Sequence, residues 1–131
     1  MASSDETDQY NGLWLFNVLV RNGQAFWPAV TAANKGMESR DGDVLSRSLE
    51  LFRIFVEKNL AFWPATEAAT KAVKSRGSDV QYEAFELLKA LVKKDKAITE
   101  ATKAATEAMA SSDVKLRKMG ESLKELLDSK Q

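Results

Sequence analysis

The sequence predicts an all-α chain built as a tandem repeat of helix pairs. Three observations predict it. Residues 36 apart match over most of the length, apolar residues within each segment recur at helical spacing, and residues that end helices separate the segments. Setting 39–73 under 3–37 pairs Asp5 with Asp41, Leu13 with Leu49, Leu15 with Leu51, Phe16 with Phe52 and Val20 with Val56. The run Ala25-Phe26-Trp27-Pro28-Ala29 then meets Ala61-Phe62-Trp63-Pro64-Ala65 without a break. The series continues through 75–109, with Arg40/Arg76, Asp43/Asp79, Val44/Val80, Glu50/Glu86, Thr66/Thr102 and Thr70/Thr106 coinciding. A truncated unit opens at Ser111-Ser112-Asp113-Val114. The expectation is one domain over 1–131, with units 3–37, 39–73 and 75–109 and a capping helix over 111–131.

Within the second unit, Asp41 or Asp43 is a suitable N-cap, and Val44, Leu49, Phe52 and Val56 follow at helical spacing. That helix should end near residue 58. The equivalent positions just beyond it are Gly23, Asn59 and Asp95, the residue types that best tolerate the left-handed conformation closing a helix. Arg21, Lys58, Lys93 and Lys94 precede them, complementing the negative end of the helix dipole. A second helix follows, with Pro28 or Pro64 in its first turn, where a missing N–H costs least. In the second unit its stripe of Phe62, Ala65, Ala68, Ala69, Ala72 and Val73 should pack closely. The third unit starts this helix with Thr99-Glu100. At the end, Met119, Leu123, Leu126 and Leu127 form a narrow stripe among Lys and Glu, as a cap requires.

A helix pair of this length, repeated three and a half times, resembles the HEAT and armadillo class of helical repeats. The 34-residue tetratricopeptide pattern of Trp, Gly and Tyr is missing. The resemblance rests on period and helix pairing. It implies a right-handed-type α-solenoid that binds partners on a concave surface, and it transfers no functional residues. The regularity, the polar ends and the lack of Cys and His would also suit an engineered or consensus-derived repeat protein.

Composition narrows the function. Nineteen Lys and Arg balance nineteen Asp and Glu, so no net cationic surplus is available to displace the counterions of a nucleic acid. No apolar run approaches the ~20 residues of a membrane helix. The acidic start is unlike a secretory signal, and the chain is expected to be cytoplasmic. Without His or Cys, the commonest general base, thiolate nucleophiles and usual zinc ligands are missing. No cofactor or metal is expected. Asp41-Gly42-Asp43 begins like a calcium loop, but Ser46 and Phe52 occupy the positions that need glycine and glutamate.

The candidate binding residues lie on the second helices. Helical spacing puts Trp63, Thr66 and Thr70 on one face, opposite the alanines, and Trp27, Val30 and Asn34, then Thr99, Thr102 and Thr106, occupy the equivalent places. Tryptophans beside short polar groups suit a binding surface. Repeated aromatics also commonly pack between units, which is the expected place of Phe26 and Phe62. Each tryptophan precedes a proline and could instead staple the helix start. The replacement of Phe-Trp-Pro by Ile98-Thr99-Glu100 favours a binding role, because a structural need would recur in every unit. Trp14 stands where Glu50 and Glu86 do, so it is expected either exposed as a contact or covered by residues 1–11. Tyr10, Ser46 and Tyr82 share another register. The functional expectation is a non-catalytic module that holds a protein or peptide on the concave surface, which the second helices are expected to line. The alternatives are a binder of an apolar small molecule, and an enzyme engineered on such a pocket. A homodimer through the first helix is a further expectation.

Overall fold

The computed structural model describes residues 4–75 and 77–130, which form seven helices and no strand. They are α1 (Ser4–Arg21), α2 (Phe26–Gly36), α3 (Gly42–Glu57), α4 (Phe62–Ala72), α5 (Ser78–Lys93), α6 (Ile98–Met109) and α7 (Val114–Ser129). The chain is all-α. Arg76, which the repeat pairs with Arg40, lies outside the described residues, as do Met1–Ser3 and Gln131.

Helix starts follow the capping chemistry. Asp41 accepts from the N–H groups of Asp43 and Val44 at 2.9 and 3.1 Å, and Asp113 caps α7 through Lys115 and Leu116. α5 begins after Gly77, which offers no side-chain acceptor. In all three approaches a serine two residues earlier (Ser39, Ser75, Ser111) accepts from the backbone of the cap residue. The long helices end in one recurring motif. Asn59 has φ 65°, its N–H reaches the carbonyl of Val56, and the N–H of Leu60 reaches back to Phe55. Gly23 with Gln24, and Asp95 with Lys96, repeat both bonds.

Two residues further on, the backbone does something alanine seldom does. Ala25, Ala61 and Ala97 each take positive φ, 59°, 54° and 55°, directly before α2, α4 and α6. A left-handed non-glycine residue costs roughly 1 to 2 kcal/mol. An alanine has no acceptor with which to cap the helix it starts, so the first free N–H groups go without a side-chain partner. Pro28 and Pro64 remove one of those N–H groups outright. Glu100, at the same place in α6, puts a negative charge at the positive end of the dipole instead.

Packing separates the helices into two kinds. α1, α3, α5 and α7 pack each on the next, through bulky residues such as Leu49, Phe52 and Phe55 in α3 and Leu87, Leu88 and Leu91 in α5, all buried. The rings of Phe52 and Phe55 meet edge-on at 5.8 Å, and Phe26 of α2 meets Phe55 at 5.5 Å. Full burial of each such side chain contributes about 1.5–3 kcal/mol. α2, α4 and α6 scarcely touch one another; each lies against the long helix before it and the one after it. Their alanines make this possible. Ala65, Ala68, Ala69 and Ala72 are buried, and Phe62 and Val73 are half-buried beside them.

The far end of each short helix meets the next long one very closely. A Cβ on Gly36 would fall 1.9 Å from Ser48 Oγ, and a Cβ on Gly120 would fall 2.8 Å from the Cβ of Ala108. Side chains then tie the joints: Lys71 donates to the carbonyl of Met37 at 3.0 Å and Gln81 to that of Val73 at 3.4 Å. In α7, Leu123 and Leu127 are buried, while Lys115, Arg117, Lys118, Glu121, Lys124 and Glu125 are exposed.

Candidate functional site

The outward side of the short helices carries most of the candidate residues. Trp27 is 73% exposed and Trp63 71%, although Phe26 and Phe62, one position earlier, turn inward. Side chains this open do not staple a helix start. Val30 is buried, whereas Asn34, Thr70, Thr99, Thr102 and Thr106 are exposed. Thr66 is buried, and its hydroxyl donates to the carbonyl of Phe62 at 2.8 Å. The hydroxyls of Thr70, Thr102 and Thr106 donate in the same way to Thr66, Ile98 and Thr102 at 2.8–2.9 Å. The hydroxyl hydrogens of Thr66, Thr70, Thr102 and Thr106 are therefore spent inside their own helices. Towards a partner these hydroxyls can accept hydrogen bonds, but donating would cost the internal bond.

The structure draws part of the set together in a cleft between α4 and α6. At one end, Trp63 and Thr66 with Phe62 face Lys96, Ala97 and Glu100 across a hollow of about 230 Å³. Lys96 Nζ stands over the Phe62 ring, 5.2 Å from its centroid. At the other end, Thr70 and Val73 face Thr99, Lys103 and Glu107 across a hollow of about 170 Å³ floored by Leu88 of α5. Glu100 borders both. The cleft thus has an aromatic end, an apolar floor and a rim of alternating charge. Trp27, Val30 and Asn34 line neither hollow, and Thr102 and Thr106 also lie outside them. Sequence periodicity could not find Lys96 and Ala97, which belong to the turn before α6, nor Leu88, which belongs to a long helix.

Trp14 is exposed on α1. Residues 4–11 do not fold over it, because they form the first turns of α1 itself; residues 1–3 lie outside the described part. The glutamates at its equivalent positions are ion-paired within their helices, Glu50 with Arg47 at 2.8 Å and Glu86 with Lys89 at 3.7 Å. On the long-helix side, Tyr10, Ser46, Arg47, Glu50 and Glu83 line a hollow of about 260 Å³. Arg47 donates to Glu50 and to the Tyr10 hydroxyl, and its guanidinium lies 4.8 Å from the Tyr10 ring centroid. Burial pushes the Glu83 carboxyl above its ordinary value, and its Oε2 is buried without a hydrogen-bond partner. Tyr82, of the same register as Tyr10, is exposed and lies outside this hollow; the Glu86 carboxylate raises its phenol pKa.

Among the described residues no group of three or more His, Cys, Asp or Glu is placed to hold a metal ion, and no helix is long and apolar enough to cross a membrane. No protein-family model, curated protein or solved structure matches the chain.

Proposed function

We propose that this chain is a non-catalytic binding module, arranged as an α-solenoid, that holds a protein or peptide on the outward side of its short helices. The observation that carries the reading is the exposure of Trp27 and Trp63, 73% and 71%, at equivalent starts of α2 and α4. Leaving two indoles in water is unfavourable by the transfer of their apolar area, and exposed aromatics of this size are typical anchors of protein interfaces. The α4–α6 cleft supplies a complementary surface: Trp63 and Phe62 for an apolar side chain, and Lys96, Glu100 and Lys103 for polar groups. The long helices pack on their neighbours while the short ones scarcely touch one another, which supports a stack that is open on its short-helix side. Partners would then enter separate clefts rather than one continuous concave lining.

An apolar small molecule is the weaker reading. The two hollows of the cleft, about 170 and 230 Å³, lie below the roughly 300 Å³ at which ligand pockets begin. The test is a peptide-display selection against the chain, followed by titration of selected peptides. Trp63→Ala and the charge reversals Lys96→Glu and Lys103→Glu should weaken binding at least about tenfold with helical content unchanged. Selected peptides indifferent to all three would sink the proposal. A ligand-dependent change in tryptophan emission with small apolar compounds, lost in Trp63→Ala, would favour the second reading.

A further inference from the structure

One stripe of each long helix faces the preceding unit. In α3 it is Val44, Ser48, Leu51, Phe52 and Phe55, and in α5 Val80, Ala84, Leu87, Leu88 and Leu91; all ten are buried. In each case the same two things cover it, the long helix before and the end of the short helix before. The short-helix end fits at one small residue of the stripe: Gly36 abuts Ser48, and Ala108 abuts Gly120 of α7. A lysine of the covered unit, Lys71, holds the terminal carbonyl of the incoming short helix at Met37.

In α1 the same stripe is Asp8, Gly12, Leu15, Phe16 and Leu19; Phe16 is half-buried against the core, but among the described residues no helix pair covers the stripe as one covers those of α3 and α5. Leu15 is 55% exposed where Leu51, Leu87 and Leu123 are fully buried. A Cβ on Gly12 would meet no atom within 4 Å. Gly12, Leu13, Phe16, Ala32 and Lys35 line an open hollow of about 560 Å³, with Asp8 at its rim. Lys35, the counterpart of Lys71, borders this hollow within reach of an incoming helix end, and its ammonium makes no ion pair among the described residues.

We infer that the face formed by α1 and α2 docks a helix pair of a partner protein, built like α3 with α4, whose shorter helix ends in small residues against Gly12 and whose last carbonyl accepts from Lys35. The interior of the molecule identifies this occupant, since the equivalent faces of α3 and α5 are covered in that way and in no other. A second copy of this chain does not offer the element. Its α2, α4 and α6 already end against α3, α5 and α7, and the outward surface of its α7 is charged. This surface is separate from the α4–α6 cleft, so either proposal can fail alone.

The probe is a fluorescein-labelled peptide of residues 41–75, which carries α3 and α4, titrated with the full chain and followed by anisotropy. Saturable binding is expected. Leu15→Glu and Gly12→Leu should each weaken it at least about tenfold, as loss of one buried leucine contact would, while Trp63→Ala leaves it unchanged. Both substitutions fall at open positions, so thermal melts should match the wild type; if Leu15→Glu melts early, Gly12→Leu carries the test. Absence of saturable binding, or binding that neither substitution weakens, overturns the inference. Sedimentation showing a wild-type dimer that Leu15→Glu returns to monomer overturns it in favour of a second copy as the occupant.

Discussion

α1 and α7 carry the same two residues at the same register and treat them oppositely. Gly12 and Leu15 in α1 correspond to Gly120 and Leu123 in α7. In α7 the glycine is pressed against Ala108 and the leucine is fully buried; in α1 the glycine faces open space and the leucine is more than half exposed. Residue type therefore does not decide burial here. The neighbour does, and α6 provides one for α7 while no short helix precedes α1 among the described residues.

The sharpest way to break this comparison is to shorten both leucines. Leu123→Ala should cost about 2–5 kcal/mol, whereas Leu15→Ala should stay within about 0.5 kcal/mol, read from urea midpoints at constant slope. Equal losses would mean that α1 is covered in solution. The glycines come next. Gly120→Ala forces a methyl group towards Ala108 Cβ and the backbone oxygen of Ala105, at 2.8 and 3.0 Å, neither of which can swing aside. A loss of about 1–3 kcal/mol is expected. Gly12→Ala meets nothing, so the better helix propensity of alanine should raise stability by about 0.5–1 kcal/mol. Opposite signs for one substitution at two equivalent places would be the clearest support.

The smallest effect concerns Glu83, whose Oε2 is buried without a hydrogen-bond partner and which shares a hollow with residues of α3. Burial raises its pKa above the ordinary 4.5; Glu50 and Glu86 add to the rise, and Arg53 and Arg47 oppose it. An acid whose pKa is higher in the folded state holds its proton more tightly when folded. The contribution of Glu83 to stability is then greatest below about pH 4.5 and falls as pH rises through the unfolded and then the folded value. Glu83→Gln should flatten that slope and melt slightly above the wild type at pH 7, by well under about 1 kcal/mol, with the advantage gone at pH 4. An unchanged pH profile would show that the carboxyl is solvated.

Much of the helix plan was legible in the sequence. Of the two candidates Asp41 and Asp43, Asp41 caps α3, α3 ends at Glu57, one residue from the expected end, and Gly23, Asn59 and Asp95 take the left-handed turn, because those side chains carry the chemistry of capping and of positive φ. The alanine stripe of α4 and the leucine stripe of α7 are buried, as their spacing implies. Ala25, Ala61 and Ala97 were not legible as left-handed residues, since alanine has no chemistry that favours that conformation. The exposure of Leu15 was not legible position by position, since its repeat partners Leu51 and Leu87 are buried and only the spatial neighbour separates them. The exposure of Trp27 and Trp63 was weighed but undecided, for periodicity fixes a helix face and not what lies opposite it. The internal bonds of Thr66, Thr70, Thr102 and Thr106 were unforeseen, because the sequence shows a hydroxyl but not where its hydrogen goes.

The serial packing of α1 on α3, α3 on α5 and α5 on α7 also has a mechanical side. Tension applied between the two ends passes from one helix pair to the next, so each joint between pairs bears the whole load. Rupture should begin at an end rather than in the middle. α7 is held by α5 and α6 and tied by Lys130, which reaches Asp95 at 3.2 Å and the carbonyl of Lys93 at 3.3 Å. Those last two contacts are exposed and weak under load. Extension would then proceed by successive release of helix pairs, each length of slack set by one unit.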